Sequence, residues 1–212
     1  MSLDALLGWI DLAGVAVFAA SGALVASRKR MDLVGFALVA TVTGIGGGTL
    51  RDVLLDRPVF WLAAPHHLLL TTGVALALFF VAPFVQRRYP VLLWADAVGL
   101  AVFATLGARV ALGAGHGPTV AVLMGVMSAT FGGLIRDVLC AEIPLILRRE
   151  IYATAAAVGA GTHVALAALG AGPAAAALGG IGAGLAARAL GIGLGLSLPV
   201  YRPREGREYP PE

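Results

Sequence analysis

Two copies of one motif combine glycine with charged residues inside otherwise apolar sequence: Gly-Gly-x-x-Arg-Asp at residues 47–52 and again at 132–137. Each glycine weakens a helix by roughly 1 kcal/mol relative to alanine, so a run of glycines favours a kink or an unwound turn. Carbonyl groups freed at such a turn can replace part of the hydration shell of a cation. The residue types therefore indicate passage of an ion and not the making or breaking of a bond.

The candidate pathway residues are these glycines, the charged pairs that follow them, and one aspartate early in each half of the chain: Gly46, Gly47, Gly48, Arg51, Asp52, Gly132, Gly133, Arg136, Asp137, Asp11 and Asp96. Arginine and aspartate inside a membrane span are costly unless they pair or reach water. Adjacent residues on a helix do not face each other, so each charged side chain is expected to pair with a residue elsewhere, across the two halves.

Each of these residues also has a purely structural interpretation. The glycines would let two helices pack closely without any break, and the Arg-Asp pairs would anchor helix ends at the membrane interface without forming a constriction. Asp11 and Asp96 each follow a tryptophan by two positions. For both aspartates, attraction of cations and satisfaction of backbone N–H groups are equally good explanations. The residue types alone leave these alternatives open.

The composition indicates that these residues lie in a lipid bilayer. Hydrophobic residues make up 59% of the 212 positions and charged residues 13%, with a mean hydropathy of +0.90, whereas soluble domains are about 25% charged. Apolar stretches long enough to cross a membrane are predicted at 5–27, 33–55, 66–85, 91–113, 118–141, 150–170 and 174–198. We predict an all-α, polytopic membrane protein with one transmembrane domain at 1–200, whose first span is retained and is not a cleaved signal peptide.

A shift of the sequence by 85 residues aligns its two halves without a gap. The shift places Trp9 and Asp11 on Trp94 and Asp96, and it places the first Gly-Gly-x-x-Arg-Asp motif on the second. The repeats run over about 5–85 and 90–170 with three spans each, and the span at 174–198 is a seventh helix. Because three is odd, the second repeat must enter the membrane from the opposite side, which makes an inverted repeat.

Basic residues lie mainly on one side of the predicted spans. They follow the odd-numbered spans, as Arg28, Lys29, Arg30, Arg87, Arg88, Arg148, Arg149, Arg202, Arg204 and Arg207. The loops on the other side carry Arg57, besides the motif residue Arg51. Since positively charged loops stay in the cytoplasm, we predict a multi-pass protein of the cell (inner) membrane with its N-terminus outside. The C-terminus would be cytoplasmic, with a polar, disordered tail at 201–212.

The sequence contains no recognisable set of catalytic residues or metal ligands. His66 and His67 are adjacent and cannot converge on one metal ion from a helix, so we interpret them as interfacial residues. The single cysteine, Cys140, excludes an internal disulfide. We therefore predict that the protein is not an enzyme, holds no metal site or cofactor, and does not bind nucleic acid.

The two gap-free halves, each with a Trp-x-Asp helix and a Gly-Gly-x-x-Arg-Asp helix, and the seventh span resemble the prokaryotic trimeric intracellular cation (TRIC) channels over about residues 5–198. The resemblance implies a homotrimer in which each protomer has its own pore. The kinked second and fifth spans would line most of that pore, together with the first and fourth. Monovalent cations, chiefly K⁺ and Na⁺, would permeate, and membrane lipids are the other expected partners.

By these motifs, Gly46–Gly48 and Gly132–Gly133 would be the kinks, followed in each half by the charged pore positions. Phe131 stands where the first half has Gly46, so the two kinks need not be equally open. Domains of this kind have also been labelled glycine transporters, so a secondary transporter for a small amino acid such as glycine is the alternative function. The sequence does not separate a channel from a transporter, because broken helices serve both classes.

Overall fold

Seven long α-helices make up most of the computed structural model, which describes residues 3–84, 88–199 and 201. In chain order they are α1 (Leu3–Arg28), α2 (Leu33–Leu54), α3 (His66–Val81), α4 (Arg88–Gly113), α5 (Pro118–Leu139), α6 (Ala153–Ala168) and α7 (Pro173–Leu194). Short helical turns lie at Phe60–Ala63, Ala82–Phe84 and Leu145–Leu147, and no strand occurs among the described residues. The predicted all-α architecture is therefore confirmed.

Six stretches of the described chain are long and apolar enough to cross a bilayer, although α3 reaches that length only together with the turn at Ala82–Phe84. The helix α6 has 16 residues and is the shorter apolar helix. The sixth span was predicted at 150–170. It is shorter because residues 145–152 form a 3₁₀ turn and an irregular segment, and because Gly170 takes a left-handed backbone, with φ of 80°, after the helix. Residues 202–212, which make up nearly all of the predicted disordered tail, lie outside the described residues.

Local sequence explains where α2 and α5 begin and end. The carboxylate of Asp32 accepts a hydrogen bond from the N–H of Gly35 at 2.8 Å and caps α2. Proline in the first turn opens α5, where its missing N–H would have had no partner. Both helices end in the same way: Asp56 and Ala141, equivalent residues of the two repeats, have left-handed backbones with φ of 52° and 49°. The sequence repeat thus extends to the shape of the main chain.

The contacts between the two repeats are reciprocal. Phe18 of α1 stacks on Phe103 of α4, its own counterpart, with ring centroids 5.3 Å apart. A Cβ on Gly14 would lie 2.8 Å from Cγ1 of Val102 and 3.4 Å from Cε2 of Phe103, and one on Gly99, the counterpart of Gly14, would come closer than 3.0 Å to the ring of Phe18. As α1 advances from 14 to 18, the contacted residues of α4 recede from 103 to 99, so the two helices are antiparallel. Reciprocal contacts are the property of a two-fold axis, so the packing of α1 on α4 is the one expected of an inverted repeat.

The helices α2 and α5 cross at the glycines of the motif. A Cβ on Gly47 would come closer than 3.0 Å to the carbonyl oxygen of Ser128, and a Cβ on Gly132 would do the same at the carbonyl oxygen of Thr43. Gly47 and Gly132 are counterparts, as are Thr43 and Ser128, so this contact is reciprocal too. The missing side chains let the two backbones touch in the middle of the bundle.

The helical structure of α2 and α5 runs without interruption through Gly46–Gly48 and Gly132–Gly133. The expectation of an unwound turn at these glycines is therefore wrong, and at Gly47 and Gly132 the missing side chain provides close helix packing. The physical reason is that a broken turn would leave backbone groups unpaired in a bilayer, which costs several kcal/mol per group. The weaker helix propensity of glycine costs only about 1 kcal/mol per residue. A role for these glycines in ion passage stays a prediction.

The seventh helix, α7, stands outside the duplication and packs chiefly against α6 and α4. Glycines allow this close contact: a Cβ on Gly159 of α6 would lie 3.1 Å from the carbonyl oxygen of Gly180 and 3.2 Å from the Cα of Gly184. The helix α7 thus packs mainly on the second repeat. The first repeat has no equivalent helix, because α7 is not duplicated.

Candidate ion pathway

A cavity of about 530 Å³ enters the protein at one end, between the start of α1, the end of α2 and the end of α4. Charged or titratable side chains from both repeats line its wall, namely Asp11, Arg51, Asp52, Arg57, His67 and Arg109. Arg57 is exposed, and the side chain of Asp11 is 30% exposed. The cavity is therefore open to solvent, which is the condition under which ionised groups are tolerated inside a bundle of this kind.

In the first Arg-Asp pair of the motif, the two adjacent side chains bind each other. The Nε of Arg51 donates to Oδ1 of Asp52 at 2.9 Å, and its Nη2 lies 2.8 Å from the same oxygen. The other oxygen, Oδ2, accepts a hydrogen bond from the backbone N–H of Phe60 at 3.0 Å, which ties the following loop to the end of α2. The expectation that adjacent charged residues pair only elsewhere is wrong here, because the long arginine side chain curls back to its neighbour in the last turn.

Asp11, the early aspartate of the first repeat, binds His67 instead of either motif arginine. His67 Nε2 lies 3.0 Å from Oδ2 of Asp11, and His67 Nδ1 lies 2.8 Å from the carbonyl oxygen of Ala64. Both ring nitrogens thus face acceptors, and both bonds form together when the ring carries two hydrogens, as it does in the imidazolium cation. The pair fixes the Asp11 carboxylate at the cavity wall.

The second Arg-Asp pair makes the same internal contact and several more. Arg136 Nε donates to Oδ1 of Asp137 at 2.8 Å, and Oδ2 of Asp137 accepts from the backbone N–H of Leu145 at 3.0 Å. Arg136 Nη1 also donates to Oδ1 of Asp96 at 2.7 Å and to Oγ of Ser21 at 2.8 Å. For Arg136, the expected pairing with residues elsewhere, including one in the other half, is confirmed.

This second group of polar residues is sealed from solvent. Arg136 and Asp96 have no exposed surface, and Asp137 is 3% exposed. Tyr152 completes the group: a Cβ on Gly133 would lie 3.0 Å from Tyr152 Oη and 3.4 Å from Arg136 Nη2. Charges so far from water persist only with close partners. Arg51 and Asp52 of the first repeat are also buried, at 6% and 2% exposed, but they line a cavity together with the 30% exposed Asp11. The second repeat therefore ends in a sealed cluster, whereas the first ends at the wall of an open cavity.

Differences at equivalent positions explain why the two ends are unlike. Ser21, which accepts from Arg136, has Leu106 as its counterpart in the second repeat, and Leu106 lines the cavity together with Arg51. Leucine offers no acceptor, so among the described residues Arg51 lacks the hydrogen bond across the repeats that Arg136 makes. His67 and Tyr152 are counterparts as well. Histidine holds its aspartate at the cavity wall, whereas tyrosine lies beside the buried pair.

The structure gathers the predicted charged residues into two groups, a cavity group and a buried cluster, on either side of the glycine crossing: Asp11, Arg51 and Asp52, then Asp96, Arg136 and Asp137. Three residues that the sequence analysis did not assign to the site also contact it, namely Ser21, His67 and Tyr152. The 85-residue shift places His67 on Tyr152, and this match of two polar ring side chains is the signal that points to them. No such signal marks Ser21.

An all-helical bundle of inverted three-helix repeats, with charged groups on both sides of the repeat interface, is the architecture of a membrane channel or transporter. Residues 8–83 and 93–168 each match the family described as Glycine transporter, and the two matches begin 85 residues apart. Over 161 residues the chain is 48% identical to the UPF0126 inner membrane protein YadS of Escherichia coli (strain K12), which covers 74% of this chain and 77% of that protein.

Solved structures agree with this assignment. The TRIC trimeric intracellular cation channel orthologue from Rhodobacter sphaeroides is 52% identical, with a TM-score of 0.88 over 90% of this chain and 99% of that chain. A second TRIC cation channel is 33% identical, with a TM-score of 0.85 over 97% of this chain and 100% of that chain. The chain belongs to the prokaryotic TRIC channel family, to which the description Glycine transporter also applies. It is a multi-pass inner membrane protein.

Proposed function

We propose that the protein conducts monovalent cations, K⁺ and Na⁺, passively through a pathway within each protomer. The observation that carries this proposal is the pair of charged groups on either side of the α2–α5 crossing, one open to a cavity and one buried. A route between them would follow α2 and α5, with α1 and α4 contributing Asp11 and Asp96. The similar solved structures are cation channels and not enzymes.

An excess of carboxylate at the buried cluster supports cations as the permeant species. Each motif arginine is paired with the aspartate that follows it. Beyond these two neutral pairs, Asp96 supplies a further carboxylate at the buried cluster. At the cavity end Asp11 shares the wall with Arg57 and Arg109, so we place the selection for cations at the buried cluster. Acidic side chains along a narrow passage favour cations over anions.

In the described conformation the proposed route would be closed at its buried end. Arg136 bridges α5 to α4 through Asp96 and to α1 through Ser21, and it has no exposed surface. An ion could pass this point only after at least one of these bonds breaks. We infer that conduction requires a second conformation in which Arg136 releases a partner.

Purified protein in planar bilayers is expected to give discrete current steps. In a KCl gradient the reversal potential should move toward the K⁺ equilibrium potential, because carboxylates line the proposed route, and replacement of K⁺ by Na⁺ should leave a current. Bilayers that receive material from a mock purification are the control. The absence of current at every voltage, or a current that reverses at the Cl⁻ equilibrium potential, would contradict the proposal.

Two matched variants extend the same recording to the cavity. Asp11→Asn removes a charge from the cavity wall and should lower the single-channel conductance. Asp56→Asn removes the same charge from an exposed loop residue that does not line the cavity, and the conductance should not change. Equal conductance in both variants would exclude the cavity as the entrance.

A homotrimer with three separate pathways is the assembly that we propose. The Rhodobacter sphaeroides protein, which shares 52% of the sequence and nearly the whole fold, is a trimeric channel. Membrane lipids would surround the trimer, since large apolar residues such as Leu69, Leu76 and Phe80 of α3 are exposed in the single chain.

We also propose that the N-terminus lies outside and the C-terminus in the cytoplasm. Arg28 and Lys29 lie 3.3 Å and 3.7 Å from Oε1 of Glu142, so the basic loop after α1 and the segment after α5 share one side. In a Cys140→Ser background, a membrane-impermeant maleimide should label Asp56→Cys in intact cells. Lys29→Cys should react only after the membrane is permeabilised. The reverse pattern would invert the orientation.

Coupled transport of glycine is the second candidate, favoured by the description of the matched family. A transporter would also need a central site between inverted repeats. Proteoliposomes should then take up glycine in a saturable manner that depends on an ion gradient. We expect no such uptake, since the solved relatives are channels. Saturable uptake without current steps would contradict the channel proposal and support the transporter.

A further inference from the structure

The segment that joins α5 to α6, residues 140–152, lies across the buried cluster and is called the strap below. Its backbone is tied to α5 by the hydrogen bond from Leu145 N–H to Asp137 at 3.0 Å. At its end Tyr152, which is 2% exposed, places its hydroxyl beside Gly133 and Arg136. Displacement of the strap would therefore uncover the buried cluster.

The seventh helix holds this strap through one buried arginine. Arg188 of α7 has no exposed surface, and its Nη2 lies 2.7 Å from Oε2 of Glu150. Its Nη1 donates to the carbonyl oxygen of Ile151 at 3.0 Å, and the guanidinium lies over the ring of Tyr152, 5.1 Å from the centroid. Three consecutive residues of the strap thus contact the same side chain. Charge-assisted hydrogen bonds of this length are among the strongest in proteins.

The first repeat offers an internal comparison. Its equivalent segment, residues 55–67, is tied to Asp52 through the N–H of Phe60 just as the strap is tied to Asp137. No hydrogen bond or ion pair from α7 reaches that segment in the described part of the chain. The end with the α7 contact is the sealed one, and the end without it opens into the cavity.

We propose that Arg188 is a positioning residue that holds the strap against the Asp96–Arg136 pair and thereby keeps this end of the pathway closed. The inference rests on the proposed channel function, in which that pair bars the ion route. It gives the seventh helix a task that the duplicated helices do not perform. Release of the strap, and not a change along α2 or α5 alone, is then part of opening.

Single-channel recording of Arg188→Met tests this proposal. Methionine keeps a flexible, unbranched but shorter side chain without the charge, and an apolar residue in place of a buried ion pair is often tolerated. The open probability should rise by roughly tenfold or more, because a charge-assisted bond no longer favours the closed state. The unitary conductance should not change, since Arg188 does not line the cavity.

Three further variants test whether the change in open probability comes from the contact between Arg188 and the strap. Glu150→Gln should raise the open probability less, since the carbonyl of Ile151 still accepts from Arg188. Arg188→Lys should raise the open probability much less than Arg188→Met does, because an ammonium group can still bind Glu150. Arg149→Met is the matched control. Arg149 is exposed and has no ion pair among the described residues, so its replacement should leave the open probability unchanged.

Labelling of Cys140, the single cysteine and the first residue of the strap, gives a readout that needs no current. Cys140 is 3% exposed, and its thiol should react with a maleimide roughly tenfold faster in Arg188→Met, at temperatures where both proteins remain folded. Equal open probability in this variant and the wild type would overturn the proposal, even if labelling accelerates. If the wild type carries no current, the channel function fails separately, and equal labelling rates would then refute the hold on the strap.

Discussion

Alanine at Gly132 is expected to destabilise the protein severely, although it adds one methyl group. That methyl group would come closer than 3.0 Å to the carbonyl oxygen of Thr43, and a backbone atom cannot rotate away as a side chain can. Overpacking a core costs about 1–3 kcal/mol, and we expect the upper end of that range. The midpoint of thermal unfolding in detergent should fall by several degrees. Gly47→Ala should behave alike, because its contact with Ser128 is the reciprocal one.

Gly46→Ala is the matched control, one position away in the same glycine run. Its Cβ would have as nearest neighbour the Cδ1 of Ile135 at 3.3 Å, which is the end of a flexible side chain. Since alanine is also the better helix former, the midpoint should stay near that of the wild type. If Gly46→Ala and Gly132→Ala had the same midpoint of unfolding, the close backbone contact between α2 and α5 would not be the reason for glycine at position 132.

Removal of the Asp96 carboxylate is expected to have the other large effect. Asp96→Ala leaves Arg136 buried with Asp137 as its remaining carboxylate, and loss of one partner from a buried ion pair costs about 3–5 kcal/mol. Asp96 has no exposed surface, so water cannot take its place without a rearrangement. The free energy of unfolding, measured by denaturant titration in detergent, should fall by this amount.

Asp11→Ala provides the comparison across the two-fold axis. Asp11 is the counterpart of Asp96, but it pairs with His67 at the wall of the cavity, and its side chain is 30% exposed. Water can solvate His67 once the carboxylate is gone, so the loss should stay below about 1 kcal/mol. Similar losses for both variants would mean that the two ends do not differ in solvation as the structure shows.

Much of the fold could be predicted because the duplication leaves a long, gap-free signal. The shift of 85 residues identified the counterparts that the structure later places in reciprocal contact, such as Gly47 with Gly132. Hydropathy located the helices, but it placed the start of α6 too early. Ile151 and Tyr152 are apolar enough to extend a span by composition, yet they lie in the irregular strap that Arg188 holds.

The difference between the two charged groups could not be predicted from the motifs, which are nearly identical. It depends on Ser21 and Leu106, counterparts on α1 and α4 that belong to neither motif. Periodicity does not tell which of these residues will face an arginine across the bundle. The pairing of Arg51 with Asp52 was missed for a different reason, because the rule for adjacent helical residues ignores the reach of a long side chain at a helix end.

The reciprocal crossing of α2 and α5 also bears on how such a chain can arise. An interface in which each half offers the same surface to the other is self-complementary, so two identical three-helix chains could form it as an antiparallel dimer. Separate chains would reach that arrangement only if some inserted in each direction, with few charges to bias them. Gene fusion removes this requirement, because the connection between the halves sets their opposite directions, and each half can then acquire its own loop charges and its own gating chemistry.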